Sequence, residues 1–156
     1  MRSASLAVIS SIGLIGLGAT WWFSANASQG SSPFDDVNIE LGQALYSENC
    51  ASCHGANLEG QPNWRSPGSD GRLPAPPHDR NGHTWHHSDQ ILFSYTKLGG
   101  AELMRQQGSD FDSGMPGFAG KLTDQEIWNI LGFIKSTWPE RERNAQAART
   151  AAEQEG

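Results

Sequence analysis

The chain has 156 residues, and its 11 Lys and Arg against 17 Asp and Glu give a formal net charge of −6 at pH 7. That length allows one modest domain once any targeting segment is set aside. An acidic chain with no basic stripe excludes nucleic acid as a class of partner.

Residues 1–27 read as a targeting segment. Arg2 is their only charge, and residues 6–23 (LAVISSIGLIGLGATWWF) are uncharged and mostly apolar. Ala25-Asn26-Ala27 has the small-x-small pattern that a signal peptidase accepts, with cleavage before Ser28. The run of 18 residues is long for a signal core and sits at the lower limit for spanning a bilayer. Trp21, Trp22 and Phe23 at its end suit an interfacial aromatic belt. Two readings stay open, a cleaved signal peptide and an uncleaved anchor in the inner membrane. Both lead to the expectation that the remaining residues work in the periplasm. Removal of Arg2 leaves 10 Lys and Arg against 17 Asp and Glu, a charge of −7. Such a charge serves solubility, or docking to a basic surface.

Residues 28–35 form a short linker. From Asp35 or Asp36 to about Asn49 the pattern predicts a helix, with Leu41 and Leu45 one turn apart and acidic residues at the N-terminal end. Gly42 weakens that helix, which suggests that another backbone passes close by. Residues 55–87 hold five of the eight prolines and five glycines. A loop this long inside a compact domain has a function or wraps something. A second helix is expected with Ser88 as N-cap, an apolar face of Ile91, Leu92, Tyr95 and Leu98, and a stop at Gly99-Gly100. A third opens on a capping box, Thr123 with Glu126, and runs to about Trp138 before Pro139. Its core face is Ile127, Ile130, Leu131, Ile134 and Trp138. Residues 140–156 have no apolar face and are expected to be a solvated, dispensable tail, with a helix there left open. The fold class is therefore all-α, about three main helices in residues 36–139 with one long irregular loop. Three short helices make a thin core, so something else is expected to fill the middle.

Both cysteines and one histidine stand in Cys50-Ala-Ser-Cys53-His54. A redox pair of the thioredoxin type needs a βαβ context, which the sequence lacks, and a zinc site needs a second cysteine pair. Covalent attachment of haem c is the remaining reading, for which C-x-x-C-H is the signature. The two sulfurs lie one helical turn apart and take the two vinyl groups, and His54 is held against the iron. A sixth ligand is found by elimination. Apart from Met1 there are only Met104, set among charged and polar residues as a packing residue at best, and Met115, in Ser113-Gly-Met-Pro-Gly-Phe118. The Gly-Met-Pro context presents a thioether from a turning loop, so Met115 is assigned, and His/Met ligation raises the potential relative to two histidines.

CASCH, the Gly-Met115-Pro loop and the final helix together resemble the monohaem class I c-type cytochromes over residues 36–139. The resemblance implies a bundle wrapped around one covalently bound haem c. It implies that the first and last helices cross where Gly42 and Tyr46 meet Ile130 and Phe133. It also implies a proline-flanked carbonyl that accepts the Nδ1 hydrogen of His54, here from residues 74–77 with Pro76 as candidate. A loop tryptophan bonds a haem propionate in that family, with Trp85 as first candidate and Trp64 as second. The implied function is single-electron transfer, without enzymatic activity, between redox protein partners. The donor would be a dehydrogenase or bc1-type complex and the acceptor an oxidase or reductase.

His83, His86 and His87, with His78 nearby, do not belong to that pattern. They admit a copper or zinc site, a histidine that replaces Met115 on the iron, or imidazoles that bond propionates, backbone or water. Two other functions follow from these alternatives: a copper-binding or copper-sensing haem protein using residues 78–87, and a peroxidase-like enzyme with a labile Met115.

Overall fold

The computed structural model describes residues 32–155. The expected targeting segment, residues 1–27, lies outside the described residues. Among the described residues no helix is long and apolar enough to cross a membrane. Six α-helices and one short 3-10 turn follow one another: α1 Ile39–Asn49, α2 Ala51–His54, the turn Thr84–His86, α3 Asp89–Leu98, α4 Gly100–Gln106, α5 Asp124–Ser136 and α6 Glu140–Gln154. No strand is present among these residues, which agrees with the all-α expectation.

The core lies where α1 crosses α5. Tyr46, Cys50, Leu58, Ile130, Ile134 and Trp138 form one buried cluster, each large apolar side chain contributing about 1.5–3 kcal/mol on burial. A Cβ on Gly42 would fall on the Asn129 carbonyl and crowd Phe133, so only glycine lets the two helices approach this closely. Tyr46 packs on Phe133 with ring centroids 5.5 Å apart. The crossing is as expected, but it turns on Asn129 more than on Ile130. The buried Asn129 side chain also accepts from the Asn38 backbone N–H at 2.9 Å.

Two details of α1 differ from expectation. The helix begins at Ile39 rather than at Asp35 or Asp36, because the Asn38 side chain caps the Leu41 N–H at 2.9 Å. Its buried face is Gly42 and Tyr46, whereas Leu41 is 43 % exposed. In α3 the Ser88 cap is present, and in α5 both halves of the Thr123–Glu126 capping box are made. Gly99, at φ 85°, ends α3, yet the chain turns straight into α4, which the sequence pattern did not suggest. Only Leu103 and Gly100 of that helix are buried, so its apolar signal is weak.

The largest departure is residues 140–156. Glu140–Gln154 do form a helix, α6, but instead of being solvated it packs on the 84–89 segment. Gln146 is fully buried and its Nε2 donates to the Asp89 carboxylate at 2.6 Å and the His87 carbonyl at 3.3 Å. Thr150 Oγ1 accepts from the Asp89 N–H at 3.0 Å. The docked stripe of buried Glu142 and Gln146 and half-buried Thr150 is polar, so it docks by hydrogen bonds and leaves no hydrophobic period to read. At the other end, Phe34 from the expected linker packs on Trp128 with centroids 5.2 Å apart.

Candidate functional site

Cys50 stands at the junction of α1 and α2, closing the first and opening the second. Its carbonyl accepts from both the Cys53 N–H at 3.1 Å and the His54 N–H at 2.9 Å. The motif is thus wound into a single helical turn that sets Cys50 and Cys53 three residues apart on adjacent ridges. Both thiols are free; Cys50 is buried and Cys53 exposed. Burial, with Cys53 adding to it, pushes the Cys50 thiol up to about 11, so it stays protonated until it reacts. Tyr46 ties off the end of the turn, its hydroxyl donating to the Gly55 carbonyl at 2.9 Å.

His54 is buried, and its Nδ1 lies 2.9 Å from the Pro76 carbonyl oxygen. A carbonyl only accepts, so Nδ1 carries the hydrogen and Nε2 keeps its lone pair for a metal. Burial holds the imidazole pKa below its ordinary value, with the Pro76 bond pulling the other way. The neutral ring is the form that ligates. Gly60 makes the arrangement possible. At φ 69°, a Cβ there would meet the Pro76–Pro77 peptide, while its N–H donates to the His54 carbonyl at 2.7 Å.

His78 follows the two prolines, and its ring stacks on His54 with centroids 4.0 Å apart and planes inclined by 24°. His78 Nδ1 is 2.8 Å from Thr84 Oγ1, and the His78 carbonyl accepts from Trp138 Nε1 at 2.7 Å. The other histidines are engaged with aromatic neighbours. His83 stacks on Trp64 at 5.4 Å and meets His87 edge-on at 5.4 Å, and His86 stacks on Trp85 at 3.6 Å. The Arg65 guanidinium sits 4.0 Å over the Trp64 ring. Among the described residues no three His, Cys, Asp or Glu side chains gather as a metal site. Trp85 Nε1 donates to the Arg80 carbonyl at 3.3 Å, so its donor is directed at its own loop.

Met115 lies on a separate segment, half-buried against the junction of α3 and α4. Its carbonyl accepts from the Gly100 N–H at 3.1 Å. Its N–H donates to Ser113 Oγ at 3.2 Å, and Tyr95 Oη donates to the same oxygen at 3.1 Å. Met104 is half-buried in α4. Sequence reasoning missed Gly60, Tyr95, Ser113 and Thr84 as supports. Gly60 alone carried a usable signal, a glycine six residues after the ligand in a loop that must return to it.

Two free thiols one turn apart, followed by a buried imidazole with Nε2 available, fit a haem bound by thioethers and one axial histidine. A search of curated proteins and a search of solved structures each found no match. The family whose model matches is Cytochrome c, over residues 39–138. The chain therefore belongs to the cytochrome c family, an all-α electron-transfer protein that carries covalently bound haem c.

Proposed function

We propose that this cytochrome works in the periplasm as a carrier of single electrons, with His54 and Met115 as axial ligands and no substrate chemistry of its own. When bound, haem c supplies an iron that alternates between ferrous and ferric states. The observation that carries the reading is the His54–Pro76 bond at 2.9 Å, which fixes the tautomer and leaves Nε2 as the metal-facing atom. Cys50 and Cys53 supply the tether, each S–H adding across one vinyl double bond so that sulfur joins one carbon and hydrogen the other. Ser113 and Gly100 hold the Met115 loop in place for the sixth position. Partners on this reading are a dehydrogenase or bc1-type complex as donor and an oxidase or reductase as acceptor. Residues 6–23 either leave with a signal peptide or keep the protein at the inner membrane.

The test is the protein purified from its own host. Intact mass is expected to show one covalent haem and to reveal whether residues 1–27 remain. The ferric protein should show the weak red charge-transfer band of a sulfur–iron bond, and Met115→Ala should lose it. A wild-type protein without that band would overturn Met115 as ligand.

A further inference from the structure

His78 has no task in the ligand set, although among the described residues it is the one aromatic ring stacked on His54. It is fixed on three sides. Its N–H donates to the Leu58 carbonyl at 2.8 Å, its carbonyl accepts from Trp138 at 2.7 Å, and its ring Nδ1 meets Thr84 Oγ1 at 2.8 Å. The Thr84 hydroxyl donates to the Pro77 carbonyl at 3.4 Å, leaving its oxygen to accept from His78 Nδ1–H. Thr84 and Trp138 are themselves buried. Placing an imidazole here costs desolvation that a leucine would avoid, and burial together with His54 and His83 keeps it neutral.

We propose that His78 is a positioning residue for the iron ligand: its ring, anchored by Thr84, fixes the plane of the His54 imidazole. The Pro76 bond holds one edge of His54, but hydrogen bonds tolerate tens of degrees of misalignment, and a ring torsion next to an sp³ carbon has a broad well. A flat ring stacked at 4.0 Å on the His54 face removes that swing. His54 and Thr84 bond to adjacent carbonyls, those of Pro76 and Pro77, so both rings are referred to one stiff diproline. With haem bound, His78 would thereby set the orientation of the His54 ring toward the cofactor, to which the ferric proton spectrum and the potential would respond. The inference rests on His54 being a ligand.

The experiment uses the holoprotein and the variants Thr84→Val, His78→Leu and His78→Phe. Thr84→Val is nearly isosteric and leaves the histidine in place. Thr84→Val and His78→Leu are expected to rearrange the haem methyl proton shifts of the ferric state. They should also change the ferric-to-ferrous ratio at fixed potential about three- to tenfold, tenfold being about 59 mV for one electron. His78→Phe, which keeps a flat face but cannot bond Thr84, should shift the methyl pattern as Thr84→Val does. The proposal fails if Thr84→Val and His78→Leu lose thermal stability yet keep wild-type shifts and potential. It fails equally if His78→Phe keeps the wild-type methyl pattern, since the bond to Thr84 would then be unnecessary. A wild-type ferric spectrum without signals of a bound imidazole would instead overturn the ligand assignment, and the two failures are distinguishable.

Discussion

The two segments assigned to the iron are anchored by different means. His54 sits in a hydrogen-bonded helical turn, with Gly60, Pro76, Tyr46 and His78 packed around it. Met115 itself is held by one backbone bond to Gly100 and one bond to a side-chain oxygen, that of Ser113. Further along the loop the Phe118 N–H donates to the Thr96 and Lys97 carbonyls. Backbone bonds and close packing surround the first; at Met115 itself a single hydroxyl is one of two ties. The methionine side should therefore be the easier of the two to loosen by loss of one atom.

The largest effect is expected at Gly60. In Gly60→Val a side chain would overlap the Pro76–Pro77 peptide and force a β-branched residue to φ 69°. Overpacking and backbone strain together cost about 3 kcal/mol or more. Thermal unfolding of the holoprotein should show it, together with loss of the wild-type His54 ring signals. A variant of unchanged stability would mean that the diproline can move away freely, which would erase the contrast between the two sides.

Gln146→Ala probes how far the support of the histidine side extends. The substitution removes the Nε2 bonds to Asp89 and the His87 carbonyl behind the Thr84 turn. Losing one bond to a carboxylate, which Lys135 still holds at 2.6 Å, and one to a carbonyl costs about 1–3 kcal/mol, read as a lower midpoint of chemical unfolding. An effect limited to fraying of α6 would show that the helix is an appendage.

The sequence made the tether readable because covalent attachment demands fixed residue types at fixed spacing, and CASCH supplies them. Capping residues Ser88 and Thr123 and the glycine at 42 were readable for the same reason, each being the residue type its local geometry requires. Packing through polar groups was not. Gln146 and Thr150 dock α6 with amide and hydroxyl bonds whose partners, Asp89 and His87, lie more than 50 residues away. No periodicity in the chain marks such a face. His78 was similar: a histidine after two prolines has no local mark until folding places it on His54.

A smaller loss is expected at Ser113. Ser113→Ala removes the oxygen that receives both Tyr95 Oη and the Met115 N–H, worth about 1 kcal/mol. Its distinguishing readout is the sulfur–iron band of the ferric protein, which should weaken on mild warming before the histidine side changes. Tyr95→Phe should move the same band less, since it deletes one of the two bonds. Equal loss of both ligands in Ser113→Ala would contradict the asymmetry.

Acid is the mildest probe, and it acts on the outer support of the histidine side. Burial is the main cause that lowers His83, with His87, His86 and Arg65 adding to it; burial also leads at His87, with His86 and Arg149 behind. Both rings therefore take up protons more readily in the unfolded chain. Stability should be level above the ordinary histidine value of 6.5 and fall as the pH drops below it, until the folded rings also protonate. Carboxylates answer in a separate window. Glu102, drawn down to about 2 by Arg105 and Gln106, contributes stability above its ordinary 4.5 that is lost only below that value. A thermal-unfolding series between about pH 8 and pH 5 isolates the histidines, whose unperturbed titration lies in that range. The slope should flatten in the double variant His83→Gln with His87→Gln. If the sulfur–iron band disappears in that window before thermal stability falls, acid is reaching the Met115 loop first, and the two sides must be coupled rather than separately anchored.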